Sequence, residues 1–333
     1  MDRGTISRAY RRVLPRRDHH RKTVLLAVVL LIIGLIGFIA HFVTVTNVYL
    51  LGIVAVAPYL MVGALLGAIL LLIARRWLAL VLAVVLVALC VSTQSRLYTS
   101  TDLPRDPVNV TVMTSNLLLG SARPASVIAA VRTHRVDLLM LEELTSQEQA
   151  ALIKAGLNRL FPYHVSRPNV SALGTGMWSR YPLRGAGHRP DFNYEFVYAR
   201  VLVPGVRVPP LAVALHTNGP YPDKSAAWQK DITHLPAVLP KLAPGAPALV
   251  GGDFNATPDS AQFRAVLHSG FQDAADQAGA GTTRSYPSDR SFPPLIAIDH
   301  VLTRGAVAQA ASTVQISGSD HRALLTTVAV PRS

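Results

Sequence analysis

The chain has 333 residues, half of them apolar and only 15% charged, with a mean hydropathy of +0.33; it is too oily for one water-soluble domain and too polar for a many-span transporter, so two kinds of segment share it. The formal charge of +13 gathers at one end, where the first 22 residues carry eight Lys/Arg against two Asp, so the basicity of the whole is weak evidence for nucleic-acid binding. A single cysteine, Cys90, excludes a disulfide scaffold and a paired-cysteine zinc site.

Residues 1–22 read as a basic cytoplasmic tail that sets orientation and meets anionic lipid, with nucleic-acid contact the less favoured alternative. A bilayer core of ~30 Å takes roughly 20 helical residues. Three uncharged runs follow and predict three transmembrane helices at about 23–43, 49–74 and 77–93. Pro58 falls near the start of the second run, where a helix tolerates proline with least loss. A cleaved leader is set aside for the first run, because its basic region is long and two more runs follow. Arg75 and Arg76 should stay cytoplasmic with the tail, whereas 41–48 has no Lys or Arg, so three crossings deliver the rest of the chain outside. Residues 94–107 then form a linker reaching no more than ~50 Å, and 108–333 an extracytoplasmic domain large enough for one core without disulfides.

That domain opens with alternation at 108–114, a strand with Val108, Val110 and Val112 on one face, ending at Ser115-Asn116. A helix at 123–134 has Val127, Ile128 and Val131 at helical spacing, and a buried strand at 136–141 is closed by Glu142-Glu143. Further strands are predicted at 173–179, 196–203, 211–216, 248–251, 296–303 and 324–330, with helices at 146–159, 223–239 and 260–268. Proline clusters at 208–211, 239–247 and 292–295 mark loops. Phe292-Pro293-Pro294-Leu295 is either an ordinary packed loop, the more favoured reading, or one that faces a membrane or grips substrate. Many strands with few helices between them predict two packed sheets with helices outside.

Polar groups recur where these strands end: Asn116, Glu142-Glu143, His216-Thr217-Asn218, Gly252-Asp253-Phe254-Asn255, Asp299-His300 and Ser319-Asp320-His321. Each alone is ordinary turn or cap chemistry. In this order they resemble the endonuclease/exonuclease/phosphatase superfamily, the DNase I-like metal-dependent phosphoesterases, over about 108–330. Asp137 to Glu143 is similar to its D-x-x-x-L-Q-E motif with Glu142 in the Gln place, and GTGMWSRYP at Gly174 to Pro182 to its glycine-initiated strand. GDFN at Gly252 to Asn255, Ile298-Asp299-His300 and Ser319-Asp320-His321 match its later motifs.

The resemblance implies an α/β fold of two packed, mainly antiparallel sheets flanked by helices, a four-layer sandwich, which in this chain follows the three transmembrane helices predicted from the uncharged runs. It implies Glu143, Asn116 and Asp320 as ligands of Mg²⁺ or Mn²⁺, with Glu142 or Glu143 facing the ion. It implies His321 contacting the scissile phosphate or managing its proton, Asp299 orienting that ring, Asp253 positioning water, and Asn255 and His216 donating to phosphate oxygens. Oxygen ligands of this kind suit a hard cation, and an anionic phosphoester needs its charge neutralised before water can attack.

The span-plus-domain plan also resembles the bacterial membrane-anchored branch that includes the teicoplanin-resistance protein VanJ. It implies a lipid-linked phosphoester or cell-envelope intermediate as substrate, integral membrane attachment, and a part in glycopeptide resistance. A tethered enzyme meets a lipid phosphate at high effective concentration. The alternatives are a surface-tethered nuclease, for which Arg180, Arg184, Arg189, Arg200 and Arg290 with Tyr181 and Tyr194 offer a sparse footprint, and a non-catalytic membrane sensor or assembly factor.

Overall fold

A computed structural model describes residues 14–219 and 225–332, and the start of the helix predicted from 223 lies outside them. The chain forms two compact units, residues 1–43 with 56–95 and residues 44–55 with 96–333. The first four helices are α1 (Leu14–Phe42), α2 (Val48–Ala55), α3 (Ala57–Ile73) and α4 (Trp77–Gln94), the last continued by a 3-10 turn at Ser95–Tyr98.

Among the described residues two continuous helices, His19–Phe42 and Trp77–Tyr98, are long and apolar enough to cross a membrane. The second expected span, at 49–74, is not one helix but two, broken at Val56. Pro58 accounts for the break: in an unbroken helix its ring would press on the Val54 carbonyl and leave it no donor, so the proline sits in the first turn of a new helix instead. In the first unit α1 and α3 approach closely through glycines. A Cβ on Gly34 would strike the backbone of Ala64, and one on Gly63 the carbonyl of Leu30. Leu25, Ile32 and Ile36 on α1 and Leu78, Val81 and Leu82 on α4 are exposed, as apolar side chains facing lipid would be.

The described residues of the second unit form twelve strands: β1 (Val108–Asn116), β2 (Leu138–Glu142), β3 (Tyr163–Arg167), β4 (Thr175–Ser179), β5 (Leu183–His188), β6 (Val197–Val201), β7 (Leu211–His216), β8 (Ala248–Asp253), β9 (Gln272–Asp273), β10 (Asp299–Arg304), β11 (Val307–Gln315) and β12 (Arg322–Val330). Its helices are α5 (Pro124–Thr133), α6 (Ser146–Lys154), α7 (Leu157–Leu160), α8 (Ser225–Leu242), α9 (Ala261–His268) and α10 (Ala274–Ala278). The strands form two six-stranded sheets, ordered β11-β12-β1-β2-β4-β3 and β5-β6-β7-β8-β10-β9. Pairing is antiparallel except for β1 with β2 and β7 with β8.

Alternation along the strands decides what goes where. Val110, Val112, Leu138 and Met140 point between the sheets, meeting Val197, Ala212, Ala214, Leu249 and Val301 from the other. Leu139, Leu141 and Trp178 point outward and are covered by Val127 and Val131 of α5 and Leu152 of α6. Burying a Val or Leu contributes roughly 1.5–3 kcal/mol, which is why the central strands are apolar on both faces.

Two stretches outside the sandwich are laid on it. The Val45 N–H donates to Gln262 Oε1 at 3.2 Å and Gln262 Nε2 donates back to the Val45 carbonyl at 2.6 Å. In the segment expected as a linker, the Thr101 N–H donates to the Gln277 carbonyl at 2.8 Å and the Leu97 carbonyl accepts from Gly281 N–H at 2.7 Å.

Candidate active site

The two parallel pairs send their C-terminal ends the same way and so gather chemistry at one end of the sandwich. Asn116 pairs with Glu142 and His216 with Asp253. Asp299 opens β10 directly opposite Asp253, and His321 immediately precedes β12. Gly252 stands in the left-handed half of backbone space, φ +156°, where a Cβ would collide with the Leu215 carbonyl, so only glycine brings Asp253 to this position. Glu143 and Asn255 also have positive φ, 54° and 48°. Such conformations cost non-glycine residues about 1–2 kcal/mol, and here they turn both side chains into one cavity.

His321 is the hub. Its Nδ1 lies 2.8 Å from Asp299 Oδ2, and its Nε2 lies 3.7 Å from Asp253 Oδ2 and 3.9 Å from Asp320 Oδ1. Burial alone would depress the ring's pKa, but the charges of Asp299 and Asp253 outweigh it and hold the ring well above the usual histidine range. Both carboxylates thus favour the imidazolium form of His321. The turn before it is pinned by Ser319, whose Oγ donates to the Asn116 carbonyl at 2.8 Å and accepts the His321 N–H at 3.0 Å.

His216 behaves oppositely. Burial, then the charge on His321, pulls it down to about 3, so the ring is neutral. Asn255 Nδ2 donates to the Thr217 carbonyl at 3.1 Å, which fixes the amide's orientation, and also to His216 Nε2 at 3.2 Å. Both amide hydrogens are spent, so the expected donation from Asn255 and His216 to phosphate oxygens would first have to break this pair.

The acidic groups show where positive charge belongs. Asp253, Glu143 and Asp320 are all held above the ordinary carboxylate range, chiefly by burial. Asp253 Oδ1 accepts the Asn255 N–H at 2.8 Å. Asn116 Nδ2 bridges Glu143 Oε1 at 3.2 Å and Asp253 Oδ2 at 3.1 Å, while Asn116 Oδ1 accepts the Leu118 N–H at 2.9 Å. The nitrogen of Asn116 thus faces the carboxylates, and its oxygen could ligate a cation only after the amide turned. Glu143 Oε2 accepts the Leu119 N–H at 2.7 Å, and Asp320 Oδ1 is buried with no hydrogen-bond partner.

This oxygen-rich corner fits a hard divalent cation. Among the described residues, ligand atoms of Asp253, Asp299 and His321 also lie within 4.8 Å of one another and could hold a metal. In that set, however, Nδ1 of His321 is already engaged by Asp299.

All eight residues expected at the site converge there. Glu143 faces the cavity, whereas Glu142 is wholly buried beneath it, where Thr114 Oγ1 donates to Glu142 Oε1 at 2.7 Å. Two aromatic walls flank the site: Tyr194, named from the sequence only as part of a nucleic-acid footprint, stands edge-on to His216 at 4.4 Å between ring centroids, and Tyr286, which sequence reasoning missed, leans on His321 at 4.9 Å. Sequence reasoning also missed Asp231, which accepts from both the backbone N–H and the side-chain amide of Asn218. Asn218 stands beside His216 in the strand-end motif and was the available signal; nothing comparable marks Tyr286.

Twin sheets with acidic and imidazole side chains gathered at one end define the DNase I-like class of hydrolases acting on phosphoesters. The chain belongs to the Endonuclease/Exonuclease/phosphatase family, whose profile matches residues 113–321. Comparison with curated protein sequences gives no match. Among solved structures, humanized D. rerio TDP2 superposes with a TM-score of 0.56 at 15% identity, covering 66% of this chain and 98% of its own. A functionally unknown conserved protein from Enterococcus faecalis gives 0.55 at 16%, covering 67% and 100%. The Bacteroides thetaiotaomicron mannosyl-6-phosphatase gives 0.52 at 12%, covering 66% and 99%. At such identities the likeness is one of fold.

Proposed function

We propose that this protein is a membrane-anchored, divalent-metal-dependent phosphoesterase. It hydrolyses a phosphoester rooted in the outer leaflet, a lipid-linked phosphate or cell-envelope intermediate. The observation that carries the reading is the His321 ring clamped between Asp299 and Asp253 in the wall of a cavity of about 740 Å³, with Glu143 and Asp320 beside it. Mg²⁺ or Mn²⁺ held by Glu143 and Asp320 would neutralise charge on the non-bridging oxygens.

The chain's own groups do the rest. Asp299 fixes the His321 ring through Nδ1, so Nε2–H is the proton presented to the scissile phosphate or its leaving oxygen. Asp253, with its carboxylate held by Asn255 and Asn116, orients the attacking water and accepts its proton. The Asn255–His216 pair forms the neutral wall opposite.

Attachment and side follow from charge and chain parity. The basic tail and Arg75-Arg76 favour the cytoplasmic side. Residues 44–55 belong to the same compact unit as 96–333, so the stretch after α1 and the stretch after α4 share one side. If α4 crosses, α3 must cross too; its 17 residues, about 25 Å of helix, are at the short end of what spans. The plan resembles the branch that includes VanJ, and a part in glycopeptide resistance belongs to this proposal. A nuclease has less support, because none of Arg180, Arg184, Arg189, Arg200 and Arg290 lines the cavity.

The test is phosphoester cleavage by the full chain in detergent with Mg²⁺ or Mn²⁺, read as free phosphate, as released phosphorylated headgroup or as nicked DNA according to the substrate. It compares polyprenyl diphosphate, phospholipid, sphingomyelin and plasmid DNA, with His321→Ala as blank. Release from a lipid substrate is expected, with kcat falling at least ~10²-fold in the variant and activity abolished by EDTA. Cleavage of DNA alone would overturn the lipid reading, and undiminished turnover in EDTA the metal.

A further inference from the structure

The cavity that holds His321 and Asp253 is also lined by Val48, Leu51 and Ala55, a segment remote in sequence from every motif of the site. These three lie on one face of α2 at helical spacing. Leu51 is only 7% exposed, while Tyr49 and Ile53 on the other side are 80% and 40% exposed. The helix has no charged residue and is apolar all round, the composition of an element in contact with hydrocarbon on more than one side. It is also fixed in place. Asn47 Oδ1 accepts the Leu50 N–H at 3.0 Å, capping its first turn, and the two Val45–Gln262 hydrogen bonds tie the preceding residues to α9.

A headgroup, a nucleotide or free phosphate needs donors, and α2 offers the cavity none. Leu118 and Ile296 elsewhere in the lining are equally apolar. The apolar wall and the polar cluster are parts of one continuous space, so one molecule with a charged end and a hydrocarbon end would satisfy both.

We infer that α2 is the chain-binding wall of the catalytic cavity: the hydrocarbon chain of the phosphoester lies along Val48, Leu51 and Ala55 while its phosphate sits at His321. Leu51, at the centre of that face, is the residue that sets preference for long chains over short. This inference rests on the phosphoesterase reading above and names the substrate as one carrying its alkyl or isoprenoid chain directly next to the scissile phosphate.

The test uses the full chain in detergent with two synthetic diesters, ethyl and dodecyl p-nitrophenyl phosphate. In the native protein the dodecyl ester is preferred. Leu51→Gln lowers the dodecyl-to-ethyl ratio of kcat/KM at least tenfold, through KM, while Leu51→Met restores it and Tyr49→Gln on the outward face leaves it unaltered. A second readout needs no turnover: a dodecyl phosphonate with a diazirine at its chain end, irradiated on the EDTA-treated protein, labels the peptide containing 48–55. An equal loss on both esters in Leu51→Gln, or label confined to other peptides, overturns the chain-binding role and leaves the phosphoesterase reading standing. No hydrolysis of either ester by the native protein overturns that reading and this inference with it.

Discussion

Glu142 and Glu143 are neighbours in sequence and differ in almost everything that burial changes. Glu143 keeps both oxygens on donors at the cavity, whereas Glu142 sits under the site with one oxygen unpartnered and is held well above the ordinary carboxylate range, first by burial. Glu148 repeats the situation away from the chemistry. It is 5% exposed on α6, its Oε1 has no partner, and burial raises it to about 7. The sign follows from linkage. Below the unfolded value near 4.5 the group is protonated in both states and contributes nothing. Between about 4.5 and 7 the unfolded chain ionises while the folded one keeps its proton, so stability falls with rising pH, and above 7 the loss is complete. The loss is on the order of 3 kcal/mol. Glu148→Gln should therefore be more stable than the native protein at pH 8 and nearly equal to it at pH 4.5. Thermal unfolding followed through the buried Trp178 and Trp228 reads this out; identical pH profiles for the two proteins would contradict it.

Among elements, the glycines of the first unit and the edges of the sheets obey the same rule of contact. Gly63 on α3 faces the Leu30 carbonyl too closely for a Cβ, whereas a Cβ on Gly52 of α2 would meet nothing within 4 Å. Gly63→Ala is expected to lower stability in detergent by about 1–3 kcal/mol, the usual cost of overpacking, and Gly52→Ala to leave it unchanged or raise it slightly; equal thermal midpoints for the two would refute the close packing. The same dependence on contact explains what was legible in the sequence. The interior strands β1, β2, β4, β7, β8, β10 and β12 are apolar because both faces are covered, and each has its counterpart in the predicted runs. The four strands that went unseen, β3, β5, β9 and β11, are the four sheet edges. Half-exposed stretches such as YHVSR and LRGAGH carry no apolar alternation to read. The site residues were visible because they sit at strand ends, where apolar runs stop abruptly at carboxylate, amide or imidazole. The break at Val56 was missed although its cause was in view: on the sequence Pro58 fits the first turns of one span from 49, whereas it opens a new helix at Ala57.

For the whole molecule the decisive relation is between a short stretch near the N-terminus and a domain that starts forty residues later. Val45 and Gln262 exchange two hydrogen bonds, so the chain leaving α1 is held on the unit that the chain leaving α4 goes on to build. No arrangement can put those two stretches on opposite sides of a bilayer. An even number of crossings must therefore lie between them, and α3 with α4 supplies two. On the proposed orientation the basic tail stays inside, and α1 would make the odd crossing that carries both stretches out. The pattern predicted for single-cysteine variants in a Cys90→Ala background is then definite. Thr46→Cys and Val170→Cys, both exposed positions, should react with a membrane-impermeant maleimide on intact cells. Arg76→Cys, in the turn between α3 and α4, should react only after permeabilisation. Protection of both Thr46→Cys and Val170→Cys in intact cells would reverse the orientation and remove outer-leaflet lipids as substrates. Labelling of Val170→Cys with protection of Thr46→Cys would break the parity on which the third crossing rests.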